Sequence, residues 1–193
     1  MPPANRRSPL ALVLLGVLTQ GPQNAYRMQR FLIATDKDKV VNIGSRNSIY
    51  QSLERLERDG LIAVHDRAGR DSTVYELTES GWGTLQSWLT DTMSTPREEY
   101  PAFPAALSTA SLLTPAQCAE LLERRRGHLD EALGRPTPDR MADAHGIERI
   151  FLLEDEYQRA MLTAERDWLD TVIAELRSGA LSWTAVRWQG PVG

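Results

Sequence analysis

A chain of 193 residues, 41% hydrophobic and 25% charged, has the balance of a globular protein with one or two real cores, which excludes a fibrous or disordered class. Its single cysteine, Cys118, excludes an internal disulfide framework and fits a reducing cytoplasm. The net charge of −4 is unevenly spread: residues 1–95 hold 11 Lys and Arg against 10 Asp and Glu, while residues 96–193 hold 11 against 16, so only the N-terminal half is open to a polyanionic partner.

Arg6 and Arg7 precede an apolar run, Leu10–Leu18, as in the start of a signal peptide. The run is too short to span a bilayer and leads into Thr19-Gln20-Gly21-Pro22, not a small-residue cleavage site, so it is expected to be a buried helix. Ser8-Pro9 supplies its cap and first turn, and Gly21-Pro22 breaks it. Asn24 caps a second helix, Ala25 to Thr35, predicted to turn Tyr26, Met28, Leu32 and Ile33 inward. Val40 to Ile43 is short and β-rich and is predicted as a small strand.

Residues 45–62, SRNSIYQSLERLERDGLI, carry the most information. Ser45 or Ser48 can cap a helix; Ile49, Leu53 and Leu56 recur on one face; Gly60 stands where a left-handed cap ends it. At about 100° per residue, Asn47, Gln51, Glu54 and Arg58 project from the other face, flanked by Ser48 and Arg55. Asn, Gln, Ser and Arg are the side chains that pair with base edges in a major groove. An ordinary amphipathic surface helix has the same pattern, so the neighbouring segments decide between the two. Leu61–His65 and Thr73–Leu77 are predicted as paired strands around a polar tip holding Arg67, Gly69 and Arg70. A hairpin tipped with arginines suits phosphate or minor-groove contact. Thr78 then caps a helix with Leu85, Trp88 and Leu89 on its apolar face. Three helices, a hairpin and a fourth helix make the order of a winged helix-turn-helix.

On those residues the chain resembles the PadR family of bacterial transcriptional regulators. The resemblance is carried by Ile49-Tyr50-x-x-Leu53-x-x-Leu56-Glu57-x-x-Gly60-Leu61-Ile62, by Tyr75-x-Leu77-Thr78-x-x-Gly81, and by Leu85-x-x-Trp88-Leu89, and spans residues 9–90. Members often have Gly before the Ser-x-Tyr and Pro after the Tyr; Asn47 and Gln51 stand there in this chain, which bears on base preference and not on fold. The resemblance implies DNA binding. A winged helix that serves as a protein-interaction module without a DNA target is the alternative, because fold alone does not specify function.

Three prolines, Pro96, Pro101 and Pro104, fall in the expected linker, residues 91–113. Thr114-Pro115-x-Gln117 is a capping-box start for a helix to about Gly134, with Leu121, Leu122, Leu129 and Leu133 as its stripe. Inside it, Arg124-Arg125-Arg126 is expected to pair with neighbouring glutamates. After Pro136 and Pro138, a long helix is predicted from about Asp139 to Ser178. Its apolar residues exceed what a two-helix hairpin can cover, which predicts a homodimer seam formed by Phe151, Met161, Leu162, Trp168, Leu169, Val172, Ile173 and Leu176. Glu165-Arg166-x-Trp168-Leu169 is similar to the end of the PadR dimerisation helix.

There is no Gly-rich phosphate loop, no Cys-x-x-Cys and no nucleophile elbow, so no cofactor and no enzyme activity are expected. Asp143, His145 and Glu148 are the nearest approach to a metal cluster; scattered carboxylates beside one His are ordinary at a helix start, and no metal is assigned.

The expectation is a mainly α protein with a small β-wing: a winged helix-turn-helix over residues 8–90, a linker, a helical dimerisation domain over 114–178 and a tail over 179–193. It is expected to be a cytoplasmic, homodimeric repressor without membrane association, released from a double-stranded DNA operator by a small molecule. Asn47, Gln51 and Arg55 are the base-reading candidates; Arg46, Ser48, Tyr50, Arg67 and Arg70 are the phosphate or groove candidates. The resemblance implies that effectors are often small planar aromatics; Trp82, Trp88 and Trp168 are the candidates to line their site.

Overall fold

The structure, a computed structural model, describes residues 8–43, 46–67, 73–137 and 146–187, and divides into two units, Met1–Glu98 and Glu99–Gly193.

Helix α1, Pro9–Leu18, opens the first unit. Ser8 Oγ accepts from the Ala11 N–H at 3.0 Å, and Pro9 stands where an N–H would be orphaned anyway. Leu14 and Leu15 are fully buried, with Leu10, Val17 and Leu18 beside them, so this helix is the centre of the N-terminal core. Helix α2, Ala25–Ala34, is capped by Asn24, whose side-chain oxygen accepts from Arg27 N–H at 2.9 Å. It buries Ala25, Met28 and Leu32 but leaves Tyr26 and Ile33 about half exposed, contrary to the sequence expectation. On a helical wheel these two lie roughly 140–160° round from Met28, outside the narrow stripe a ten-residue helix buries.

The sheet is three-stranded and antiparallel, in the order β1 (Gln23–Asn24), β3 (Thr73–Leu77), β2 (Ile62–Arg67). The strand expected at Val40–Ile43 does not form; a 3-10 turn at Lys37–Lys39 leads into irregular backbone from which Val41 and Ile43 are buried singly. The free edge of β3 is taken by Gln23 and Asn24, paired with Tyr75 and Val74.

Helix α3, Arg46–Arg58, buries Ile49, Leu53 and Leu56. The expected Ser45 cap lies outside the described residues. The other end is a complete Schellman motif: Gly60 has φ 71°, its N–H donates to the Glu57 carbonyl, and Leu61 N–H donates to the Leu56 carbonyl, both at 2.9 Å. Helix α4, Glu79–Ser94, buries Gly81, Leu85 and Trp88, while Leu89 is partly exposed.

In the second unit, the expected linker contains structure of its own: helix α5, Ala102–Leu107, and a 3-10 turn, Ala110–Leu112. Phe103, Leu107 and Ala110 pack on the C-terminal core. Helix α6, Pro115–Leu133, starts with the expected capping box: Gln117 N–H donates to Thr114 Oγ1 and Thr114 N–H to Gln117 Oε1. The long C-terminal helix is shorter than expected. Gly146 has φ 63°, Glu148 is extended, a 3-10 turn spans Arg149–Leu152, and helix α7 runs only over Leu153–Ser178. Helices α6 and α7 are antiparallel, as the ion pairs Arg126–Asp170 and Glu123–Arg177 require, and Arg125 pairs with Glu165; two of the three consecutive arginines are thus spent on ion pairs between helices. The tail after Gly179 is built onto this unit: Trp183 Nε1–H donates to the Leu113 carbonyl at 2.8 Å and Val186 N–H to the Ser111 carbonyl at 2.9 Å. Among the described residues, no helix is long and apolar enough to cross a membrane.

Candidate nucleic-acid interface

Helix α3 is held by its whole apolar face, and its other face is left in solvent. With Ile49, Leu53 and Leu56 almost fully buried, the register of the helix is set, because a rotation that exposed them would cost roughly 1.5–3 kcal/mol for each side chain. That places Asn47, Gln51, Glu54, Arg55 and Arg58 in solvent. Ser48 is half-buried, and its carbonyl accepts a hydrogen bond from the Ser52 hydroxyl at 2.8 Å. Tyr50 packs partly against the N-terminal core and is less available for groove contact than the sequence pattern implied. Arg46 opens the helix and Arg67 ends β2, the side chains of both lying outside the described set, and Arg70 lies outside the described residues.

The end of α3 is fastened to the hairpin and to α4 at one junction. Thr78 Nα–H donates to the Leu61 carbonyl at 3.2 Å, its hydroxyl donates to the Gly60 carbonyl at 2.8 Å, and the same oxygen accepts from Gly81 N–H at 3.0 Å. Gly81 is obligatory, since a Cβ there would stand 1.9 Å from the Leu61 carbonyl oxygen. The glycine, threonine and glycine of the sequence motif are therefore the places where three elements meet backbone to backbone. Strand β2 pairs with β3 from Ile62↔Leu77 to Arg67↔Thr73, with an irregularity between Val64 and Asp66 that skips His65. His65 Nδ1 lies 2.8 Å from Glu76 Oε2 on the exposed side.

Helix α2 adds exposed residues to which no role was assigned from sequence: Arg27 and Arg30, one turn apart. Their i, i+3 spacing opposite a buried stripe was the available signal.

The three tryptophans do not share one environment. Trp88 is 5% exposed and belongs to the N-terminal core. Trp82 is an exposed residue of α4, beside an open surface of mixed character that includes Leu18, Pro22, Glu76 and Glu79. Trp168 packs edge-on against Phe103 in the second unit, ring centroids 6.2 Å apart.

The expected dimer seam divides in two. Leu169, at 0% exposure, Ile173 and Leu176 are buried within the chain against Cys118, Ala119, Leu122 and Leu129 of α6, and Leu162 and Val172 pack beside them. Leu169, Ile173 and Leu176 are core and are taken up within the chain, while Leu162 and Val172 are only half-buried. Phe151 (63% exposed), Met161 and Trp168 remain outward, joined by Leu153 of the same expected apolar set and by Ile150 and Tyr157 (66% exposed), which the sequence reading did not single out. Of the metal-like cluster, Asp143 and His145 lie outside the described residues; among the described residues, no group of three or more His, Cys, Asp or Glu is placed to hold a metal ion.

The first unit thus has the order and junctions of a winged helix-turn-helix, with a polar helix face turned outward. Residues 14–87 match the family model described as the transcriptional regulator PadR-like family. Over those residues the chain is similar to the PadR-like winged helix-turn-helix. No curated protein matches the sequence. Among solved structures, the fold is similar to Bacillus subtilis PadR in complex with operator DNA, at TM-score 0.66 and 17% identity over 86% of this chain and 97% of that one. The same protein in complex with p-coumaric acid gives TM-score 0.68 and 18% identity, over 87% and 98%. The PadR-like transcriptional regulator BC1756 from Bacillus cereus gives TM-score 0.61 and 18% identity, over 88% and 99%.

Proposed function

We propose that this chain is a PadR-like transcriptional regulator, a homodimeric repressor of the cytoplasm without catalytic activity, that binds a two-fold symmetric DNA operator and leaves it when a small molecule binds. The observation that carries the reading is helix α3: one face sealed into a core, the other presenting Asn47, Gln51 and Arg55 to solvent. Asn and Gln match the donor and acceptor edge of adenine, and Arg that of guanine. Ser48 and, at the edge, Tyr50 flank that face; Arg46 opens the helix, Arg67 ends β2, Arg70 follows it in the sequence, and Arg27 and Arg30 belong to α2. These side chains are assigned to phosphates, where contacts fix orientation and carry no sequence information. The similar Bacillus subtilis protein has been captured with operator DNA and with p-coumaric acid, which supports extending both kinds of partner to this chain.

The dimer is assigned to the outward apolar residues of the second unit. Ile150, Leu153, Tyr157 and Met161 recur at three- and four-residue spacing, with Phe151 beside them. Apolar side chains grouped so on a soluble protein are commonly covered by a partner, and a second copy supplies the same stripe. Two copies must present their α3 helices about 34 Å apart to enter successive major grooves, so a change of a few degrees at the seam weakens binding. A ligand produces that change only by binding the two arrangements unequally.

The test is to sequence random DNA fragments retained by the purified protein. A shared, two-fold symmetric motif is expected. Retention of unrelated sequences at low salt only would sink the operator reading and favour a winged helix that binds protein.

A further inference from the structure

Inside the second unit, α5 and the 3-10 turn after it lie over α6 and leave a cavity of about 490 Å³. Phe103, Leu107, Leu112 and Leu121 line it, with Cys118 and Arg125. Its size falls in the range of small-molecule sites, roughly 300–1,000 Å³, and its lining is the usual kind, apolar walls with few polar groups.

Three observations point to a ligand. First, the cover is thin. Neither α5 nor the 3-10 turn contains a buried residue, and the cover is held to the unit in part by the tail, through the bonds from Trp183 to Leu113 and from Val186 to Ser111. A segment whose side chains are at most half-buried over a cavity gains packing if the cavity is filled. Second, Leu112 and Leu121 line the cavity and are still exposed. Third, the one charge is already matched. Arg125 lies over the Phe103 ring, 3.6 Å from its centre, and donates its Nε–H to the Glu165 carboxylate. Cys118 adds no charge, because burial pushes its thiol up from the ordinary value. The site therefore offers no net charge to an anion. An arginine has five N–H donors, and the Nε–H is the one this carboxylate takes, so terminal donors are left for a neutral acceptor.

We propose that this cavity is a binding site for an uncharged, apolar small molecule carrying one hydrogen-bond acceptor, a carbonyl or ether oxygen, which the Arg125 guanidinium receives while the rest lies between α5 and α6. Any effect of such a ligand on DNA rests on the function proposed above; the binding itself does not.

The experiment uses the full chain and 6-propionyl-2-dimethylaminonaphthalene, a neutral fluorescent ketone, against the anionic 1-anilinonaphthalene-8-sulfonate. The ketone is expected to bind saturably, one per chain, with blue-shifted emission, and more tightly than the sulfonate. Ala106→Trp, which fills the cavity from an exposed wall, and Leu121→Glu, which charges it, should each weaken the ketone by about tenfold or more with the melting curve retained. Without any substitution, saturating ketone should slow labelling of Cys118, the sole cysteine, by methyl methanethiosulfonate. The proposal is overturned if the ketone does not bind, if Cys118 labels at the same rate with and without it, if both variants bind as wild type does, if the sulfonate binds more tightly, or if ketone binding appears only when dilution separates two copies that cover the cavity. Ketone binding together with failure to retain DNA would sink the regulator reading and leave this site standing.

Discussion

The two units solve the same packing problem in different ways. The N-terminal unit builds its core around α1, which is apolar on nearly all sides, and joins its parts backbone to backbone at Gly60, Thr78 and Gly81. The C-terminal unit pairs two amphipathic helices over a smaller apolar cluster, ties them with three ion pairs, and leaves a separate row of large apolar residues outside. What remains exposed differs accordingly: on α3 a polar face suited to base edges, near the start of α7 an apolar row suited to another copy. Recognition needs a rigid helix with a wet face, and assembly needs an apolar face that folding did not consume.

The sharpest way to break this comparison is to charge the two rows of the C-terminal unit separately. Leu169→Asp places a carboxylate at a fully buried position and should unfold the α6–α7 hairpin, at a cost on the order of 3–5 kcal/mol read by urea denaturation. Tyr157→Asp with Met161→Asp, at exposed positions, should leave stability almost unchanged and give monomers by light scattering. A folded monomer from the first variant, or a stable dimer from the second, would mean that inner and outer rows have been assigned the wrong way round.

The junction in the N-terminal unit gives the next largest effect. Gly81→Ala should destabilise that unit by about 1–3 kcal/mol, because backbone must move to relieve the clash with the Leu61 carbonyl. Gly83→Ala, in the same helix with open space around its Cβ, should instead stabilise by roughly 0.5–1 kcal/mol. Equal melting shifts for the two would show that the close approach does not govern the fold.

On the recognition face, Gln51→Ala should weaken binding to the selected operator by about 1–3 kcal/mol and relax preference at one base pair. Arg70→Ala should weaken all sequences alike and lower the salt slope by about one unit per subunit. Fluorescence anisotropy on specific and random DNA separates them; identical behaviour of the two variants contradicts the division between reading and positioning.

The smallest effect lies in the ion pairs of the second unit. Hydrogen bonds from Arg177 hold the Glu123 carboxyl below the usual glutamate range, and those from Arg149 do the same for Glu156. A depressed folded-state value adds stability that is present above the unfolded value and is lost as pH falls through the folded one. Both carboxylates lie at the surface and are partly exposed, so screening keeps the gain slight. Melting of Glu123→Gln should therefore differ from wild type a little at neutral pH and converge with it in acid. A difference that grew as pH fell would reverse the sign assigned to the pair.

The sequence by itself determined what is local. Ser8-Pro9, Asn24, Thr78 and Thr114 start their helices because a cap is a hydrogen bond across three residues, and Gly60 ends α3 because its left-handed backbone disfavours a Cβ. The buried stripe of α3, and with it the outward position of Asn47, Gln51 and Arg55, was legible from helical spacing alone. Tertiary structure decided what depends on distant partners. The third strand is Gln23–Asn24 and not Val40–Ile43, because strand identity depends on an unpaired edge, and two residues have no period to read. Leu169 and Ile173 went to the inner core and Tyr157 to the surface, although all three are large and apolar. Spacing shows that residues share a face; only the position of α6 shows which face is already covered.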